Sequence, residues 1–342
     1  MRVHSGTGER AFAYAKACGI IGKSFLGKRI SALERLGSLQ ELDRLVFPEV
    51  SREMITRELL SDIEGRILSR TVQHIRAVID SFSVPPQLLV RQLRSCEYAD
   101  LKTCLYHIAT RKATPPVINN LGRFRTVRFA AYPHLSKMLA GTEFAFILEK
   151  YPKTIKPADI AAIEIALDRQ YYTLLAESLR CLPSADRLYA RQIISEEICL
   201  RNCIWALRLR RYFHKSENET AEYLMDLSMP NERSLAAQAR KSLRFSLDSR
   251  PSWDGWRWEN FLNPPHAGEH WAVDPRYFQN AASRYLYRLS RRYFRAMPLS
   301  ISSIFCFIKL KQYEENILIS VTEGLGLGMT GTDAVAMLEA QP

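Results

Sequence analysis

"SEEICLRNCIWALRLRRYF", residues 195–213, is the stretch whose reading decides the fold. Ile198, Asn202, Trp205 and Leu209 recur at spacings of four, three and four, the period of an α-helix with one apolar face. The spacing predicts a helix and places Asn202 inside its apolar seam. A buried amide left without partners costs roughly a few kcal/mol. Asn202 is therefore expected to bond backbone, or a nearby polar group such as Glu197, and to fix how helices meet. Arg201, Arg208, Arg210, Arg211 and Lys215 spread over the polar sides. Cations near a helix C-terminus also suit its dipole.

The same pattern recurs on both sides of this stretch. "LQELDRLVFP" (39–48), "FAFILEKYP" (144–152) and "WRWENFLNP" (256–264) each read as a helical run ending at a proline. A long amphipathic helix follows each. The first carries Leu68, Val72, Ile75, Ile79 and Phe82; the second Ile160, Ile163, Leu167, Tyr171 and Leu174; the third Phe278, Ala282, Tyr285 and Leu289. Each runs toward Pro85, Pro183 or Pro298, which cannot continue a helix without losing a backbone hydrogen bond. A polar residue on a second helix lies 18, 19 and 18 residues beyond: Thr103, Asn202 and Asn316. Glu197, Asn202 and Asn316 are the candidate members of a structural polar seam. The unit repeats every ~100–115 residues, too long for tetratricopeptide, ankyrin or HEAT repeats. The expected fold is all-α, with three repeated helical domains at 10–118, 119–220 and 221–330 and a flexible tail at 331–342.

The composition agrees with a globular chain. It has 342 residues, 47% hydrophobic and 25% charged, enough for two or three cores. A net charge of +12 and a pI near 9.4 point to an anionic partner: nucleic acid, an anionic membrane surface or an acidic protein. Seven cysteines, an odd number with no CxxC, read as reduced core thiols in a reducing compartment. Arg2, Glu9, Arg10 and Lys16 leave no apolar core for a signal peptide. The longest uncharged apolar-rich run, 296–308, has 13 residues, short of the ~20 that span a bilayer.

"ACGIIGKSF", residues 17–25, meets the loose form of the phosphate-binding loop, with Ala17 where the strict form has Gly. Such a loop needs a strand before it, yet Tyr14, Cys18, Ile21 and Phe25 follow the helical period and turn Lys23 to solvent. The nearest candidate for a magnesium-holding acid, Asp80 of "AVID", lies at the end of another helical run. "EGLGLGMTG" (323–331) leaves no room for a dinucleotide unit and reads as a helix end before the tail. His266 and His270 of "NPPHAGEHW" sit in a Pro- and Gly-rich loop with no third ligand indicated. No catalytic residue, cofactor-binding residue or metal ligand is expected.

Basic residues cluster at two helix ends, "RLRRYFHK" at 208–215 and "SRYLYRLSRRYFRAM" at 283–297. Arg208, Arg210, Arg211, Arg288, Arg291, Arg292 and Arg295 are the candidate partner contacts. On charge alone, a helical scaffold that binds nucleic acid through these arginines and aromatics is an alternative, with salt-sensitive binding as its mark.

The order of these features resembles the C subunit of bacterial and archaeal V-type ATPases, called subunit d in eukaryotes. Tyr14-Ala-Lys16 with Phe25-Leu26 matches the family's N-terminal helix, and "LEKYP" (148–152) its next segment. Glu197, Cys199 and Asn202, followed by Leu207-Arg208-Leu209-Arg210, match its repeated acidic and Asn-bearing helix, and "KLKQYEENI" (309–317) its Lys/Glu-rich helix. Cys199 and Tyr313 stand where the family has acidic residues, and Thr103 where it has Asn, which marks a divergent member. The resemblance implies a pseudo-threefold funnel of three helical domains without cofactor. It also implies a non-catalytic role: one copy per complex on the cytoplasmic face of the membrane. There the chain would join the central-shaft subunits to the proteolipid ring and transmit torque for ion transport. The basic helix ends would contribute to the cavity or its rim. No nucleic-acid partner follows from the resemblance, and contact with the membrane surface is compatible with it.

Overall fold

The computed structural model of the chain describes residues 6–48, 56–151, 154–227, 234–265, 268 and 270–339. Among them every regular element is a helix and no strand is present. Nine helices carry the architecture: α1 (Thr7–Lys23), α2 (Thr56–Ile79), α3 (Gln87–Leu93), α4 (Ser95–Ala109), α5 (Ile160–Ser178), α6 (Ser184–Phe213), α7 (Pro275–Ala296), α8 (Ile301–Gly326) and α9 (Gly331–Glu339). None of the described helices is long and apolar enough to cross a membrane.

The apolar residues that set the helical period are the ones that build the cores. The chain divides into two compact units, one running to Leu182 and resuming at Met297, the other Pro183–Ala296. In the first, α8 packs along α2 and α1, and α9 closes over α8. Its core holds Leu33, Leu42, Ile63, Ile67, Leu318 and Val321, with Ala334 and Val335 from α9. The helices α3 and α4 pack on α5 in the same unit. In the second unit α6 packs along α7 over an aromatic core. There Trp253 and Trp256 meet edge to face at 5.1 Å, and Trp256 stacks on Phe278 at 5.6 Å.

The repeat landmarks translate into a pairing rule. The first long helices are α2, α5 and α7; the second helices are α4, α6 and α8. Within the units, α4 packs on α5, α6 on α7, and α8 on α2. In terms of the repeats expected from the sequence, each second helix packs on the first helix of the next, and α8 packs on α2. Residues 221–330 hold α7 and α8 in sequence, but α8 belongs to the first unit.

Three local expectations are corrected. Residues 331–339 are not a flexible tail: they form α9, whose Gly331 N–H donates to the Leu36 carbonyl at 2.8 Å and whose Thr332 hydroxyl donates to the Glu34 carbonyl at 3.0 Å. A Cβ at Gly331 would lie 2.2 Å from the Leu33 carbonyl oxygen, and one at Gly324 would lie 2.8 Å from the Ala334 Cβ. The glycines of "EGLGLGMTG" thus permit helices to touch. Second, "WRWENFLNP" is not an α-helical run. Only Glu259–Phe261 makes a 3₁₀ turn, because the tryptophans turn inward where a regular helix would carry them around its axis. Third, Asn316 is exposed and does not belong to a buried seam, and Thr103 is exposed as well. As the period requires, "ACGIIGK" lies within α1 with Lys23 exposed, and its backbone N–H groups are bound into the helix. Pro152 and His266 lie outside the described residues.

Candidate functional site

Asn202 is fully buried on α6, and all its bonds go to backbone. Its Nδ2 donates to the carbonyls of Met225 (3.0 Å) and Leu235 (3.2 Å), and its Oδ1 accepts from the Met225 N–H at 2.8 Å. One side chain thereby fastens two irregular segments to the helix. Glu197, on the same helix, is partly buried, and the partners of Asn202 are the Met225 and Leu235 backbone rather than Glu197.

The first unit uses the same device with other residues, which the repeat landmarks missed. On α4, Glu97 is fully buried and accepts from the backbone N–H groups of Thr126 (2.5 Å) and Val127 (2.7 Å). Arg94 donates to Glu97 at 2.9 Å, to Glu143 at 3.0 Å and to the Thr126 hydroxyl at 2.6 Å. Asp100, one turn on, accepts from the Asn119 backbone (3.0 Å) and side chain (2.8 Å), while burial pushes its carboxyl up to about 6. On α8, the buried pair Lys311–Glu314 takes this role: Glu314 accepts from the Phe25 N–H at 2.7 Å, just past the end of α1. The signal for these residues was an isolated charge at an apolar helix position, as in "CEYADL".

The seven arginines singled out as partner contacts fall into two classes. Those of α6 are largely used within the molecule. Arg208 donates to Gln279 of α7 at 2.6 Å; Arg210 donates to the Ser242 and Phe245 carbonyls, both at 2.9 Å; Arg211 pairs with Asp248 at 3.3 Å. They hold α6 to α7 and to the turn after Ser242. Those of α7 are different. Arg288, Arg291, Arg292 and Arg295 are exposed, and no described residue bonds to or pairs with them. Spaced by three, four and seven residues, they share one face, opposite the buried Ala282, Leu289, Tyr293 and Phe294. The helix carries six arginines and no acidic residue. Elsewhere arginines find carboxylates, as in Arg66–Asp43, Arg94–Glu97 and Arg257–Glu196. Like charges three and four residues apart repel by ~0.2–0.5 kcal/mol a pair, so the row's four such pairs cost the free molecule about 1–2 kcal/mol. The helix dipole offsets part of this at the C-terminal turn.

Among the described residues no cluster of three or more His, Cys, Asp or Glu is placed to hold a metal. The arrangement offers, among the described residues, fastened helices and, on α7, a bare cationic face. An uncharacterized protein of Treponema pallidum (strain Nichols) is 27% identical over 335 residues, covering 94% of both chains. The model of the ATP synthase (C/AC39) subunit family matches residues 49–333, a span that takes in every helix from α2 to α8. By that match the chain belongs to the ATP synthase (C/AC39) subunit family, that of the C and d subunits of V-type ATPases.

Proposed function

We propose that this V-type ATPase subunit is a non-catalytic rotor adaptor, joining the central shaft to the membrane proteolipid ring and transmitting torque for ion transport. One copy would sit on the cytoplasmic face of the membrane, its three repeats arranged as a pseudo-threefold funnel. The observation that carries the reading is family membership across residues 49–333. The pairing of each second helix with the next repeat's first helix supports the finer part, since a chain whose last helix returns to its first resists twisting open. Buried side chains that bolt irregular segments to α4, α6 and α8 add stiffness of the kind a torque element needs. The basic helix ends are placed, on this reading, at partner-facing surfaces, with α7 the better candidate because its row is unspent.

The test is affinity purification of the tagged chain from gently solubilised membranes. Recovery of shaft, ring and catalytic-head subunits in fixed proportion is the expected result. Recovery of nucleic acid, with binding that falls by orders of magnitude as salt rises severalfold, would replace the adaptor with the scaffold reading.

A further inference from the structure

We propose that the Arg288–Arg291–Arg292–Arg295 row of α7 is a docking surface for an acidic helix of a partner protein, read through carboxylates spaced three and four residues apart. It rests on the adaptor reading only in that an adaptor must have protein partners. The row is about 10 Å long and one residue wide, the footprint of two turns of a facing helix. Every cation of α7 is arginine and none is lysine. A diffuse field does not distinguish the two, whereas the planar guanidinium fork suits bidentate contact with individual carboxylates. The exposed positions on this face carry no large apolar side chain of the sort that inserts into a lipid interface. These features favour a protein carboxylate row over a lipid surface.

The experiment uses the full chain and two synthetic 21-residue helical peptides of identical composition, one with its glutamates on a single face and one with them scattered. Wild type should bind the single-face peptide severalfold more tightly than its isomer, with affinity falling as salt rises. The quadruple variant R288Q/R291Q/R292Q/R295Q should lose at least tenfold. A control of equal charge, K23Q/K28Q/K137Q/K156Q, changes four exposed lysines elsewhere and should stay within twofold. The quadruple Arg→Lys variant keeps the charge and loses the fork, so a drop of several-fold is expected. All these changes are on the surface, and an unchanged thermal transition verifies the fold.

Equal losses in the row variant and the control would overturn the proposal, since net charge would then explain binding. It would also be overturned if the row variant lost sedimentation with vesicles containing phosphatidylglycerol yet kept the peptide. Recovery of the row variant with the rotary complex at the wild-type level would sink the surface and leave the adaptor standing. Failure of the wild type to be recovered with the complex would sink the adaptor, and the peptide comparison would still decide the surface.

Discussion

Single side chains carry much of the local order, and Asn202 shows how. Replacing it with Ala leaves the buried Met225 N–H and two buried carbonyls without partners. An unsatisfied buried group costs about 1–3 kcal/mol, so Asn202→Ala should lower stability by about 2–4 kcal/mol in urea unfolding, with faster hydrogen exchange at the Met225 amide. A loss under ~0.5 kcal/mol would mean that water replaces the amide. A second residue-scale prediction concerns pH. Burial raises the Glu315 carboxyl to about 7, against which its bond to Thr71 and the Lys311 charge act only in part. The folded form therefore holds its proton longer than the unfolded one, and stability is lost as pH rises from about 4.5 to about 7. His74 runs the other way: burial, then the charges of Lys311 and Arg70, lower it to about 4, so its contribution is lost as pH falls from 6.5. The two slopes oppose each other between pH 4.5 and 6.5, but Asp100, also raised by burial to about 6, adds to the Glu315 slope, so wild-type stability should fall as pH rises there. Glu315→Gln removes one of them. Its stability should rise relative to wild type by about 1–3 kcal/mol between pH 4.5 and 7.5, measured as the shift in urea midpoint. A constant offset across that range would show that Glu315 keeps an ordinary carboxyl.

At the scale of elements, α9 depends on the absence of side chains. Gly331 brings its backbone against the Leu33, Glu34 and Leu36 carbonyls, and a Cβ there meets main-chain oxygen at 2.2 Å, where no flexible side chain can yield. Gly331→Ala should cost about 1–3 kcal/mol and expose the C-terminal segment to protease, while α8 stays protected. Unchanged proteolysis would mean that α9 shifts at no cost. This close approach also explains why α9 was illegible in sequence. Glycines in "GLGLGMTG" mark a loop by local propensity, and the contact between Gly324 and Ala334 is a tertiary fact that no local rule contains. The long helices were legible because their own apolar period carries the signal, as in Val72, Ile75 and Ile79, all buried. Counting residues from a proline located the second helices but not their rotation. One residue turns a helix by 100°, so Asn202 faces the core while Thr103 and Asn316, at nearly equal distances, face water. The charge of the two arginine clusters was equally plain, but their partners were not. Gln279 and Asp248 lie dozens of residues from Arg208 and Arg211, and only the fold brings them together.

For the whole molecule, the consequence of the pairing rule is that the N-terminal unit cannot be completed by N-terminal residues. Phe25 bonds to Glu314 across 289 positions, and Leu59, Ile63 and Ile67 are covered by a helix that begins at Ile301. A fully buried aliphatic side chain contributes about 1.5–3 kcal/mol, so the several dependent on α8 together outweigh the 5–15 kcal/mol by which a domain is stable. A chain ending at Ala296 should therefore fail to form its first unit. The second unit is continuous, Pro183–Ala296, and keeps all its helices in that truncation. All five tryptophans, at 205, 253, 256, 258 and 271, lie within it, so their fluorescence reports on that unit alone. The truncated chain should show weakened far-UV helicity and bind an apolar dye, while its tryptophan emission stays blue-shifted and unfolds cooperatively in urea. Red-shifted emission without a transition would mean that the second unit needs the first to fold. A first unit that keeps its own helicity and binds no dye in the truncated chain would mean that α8 is dispensable, and that its packing on α2 is not what holds that unit together.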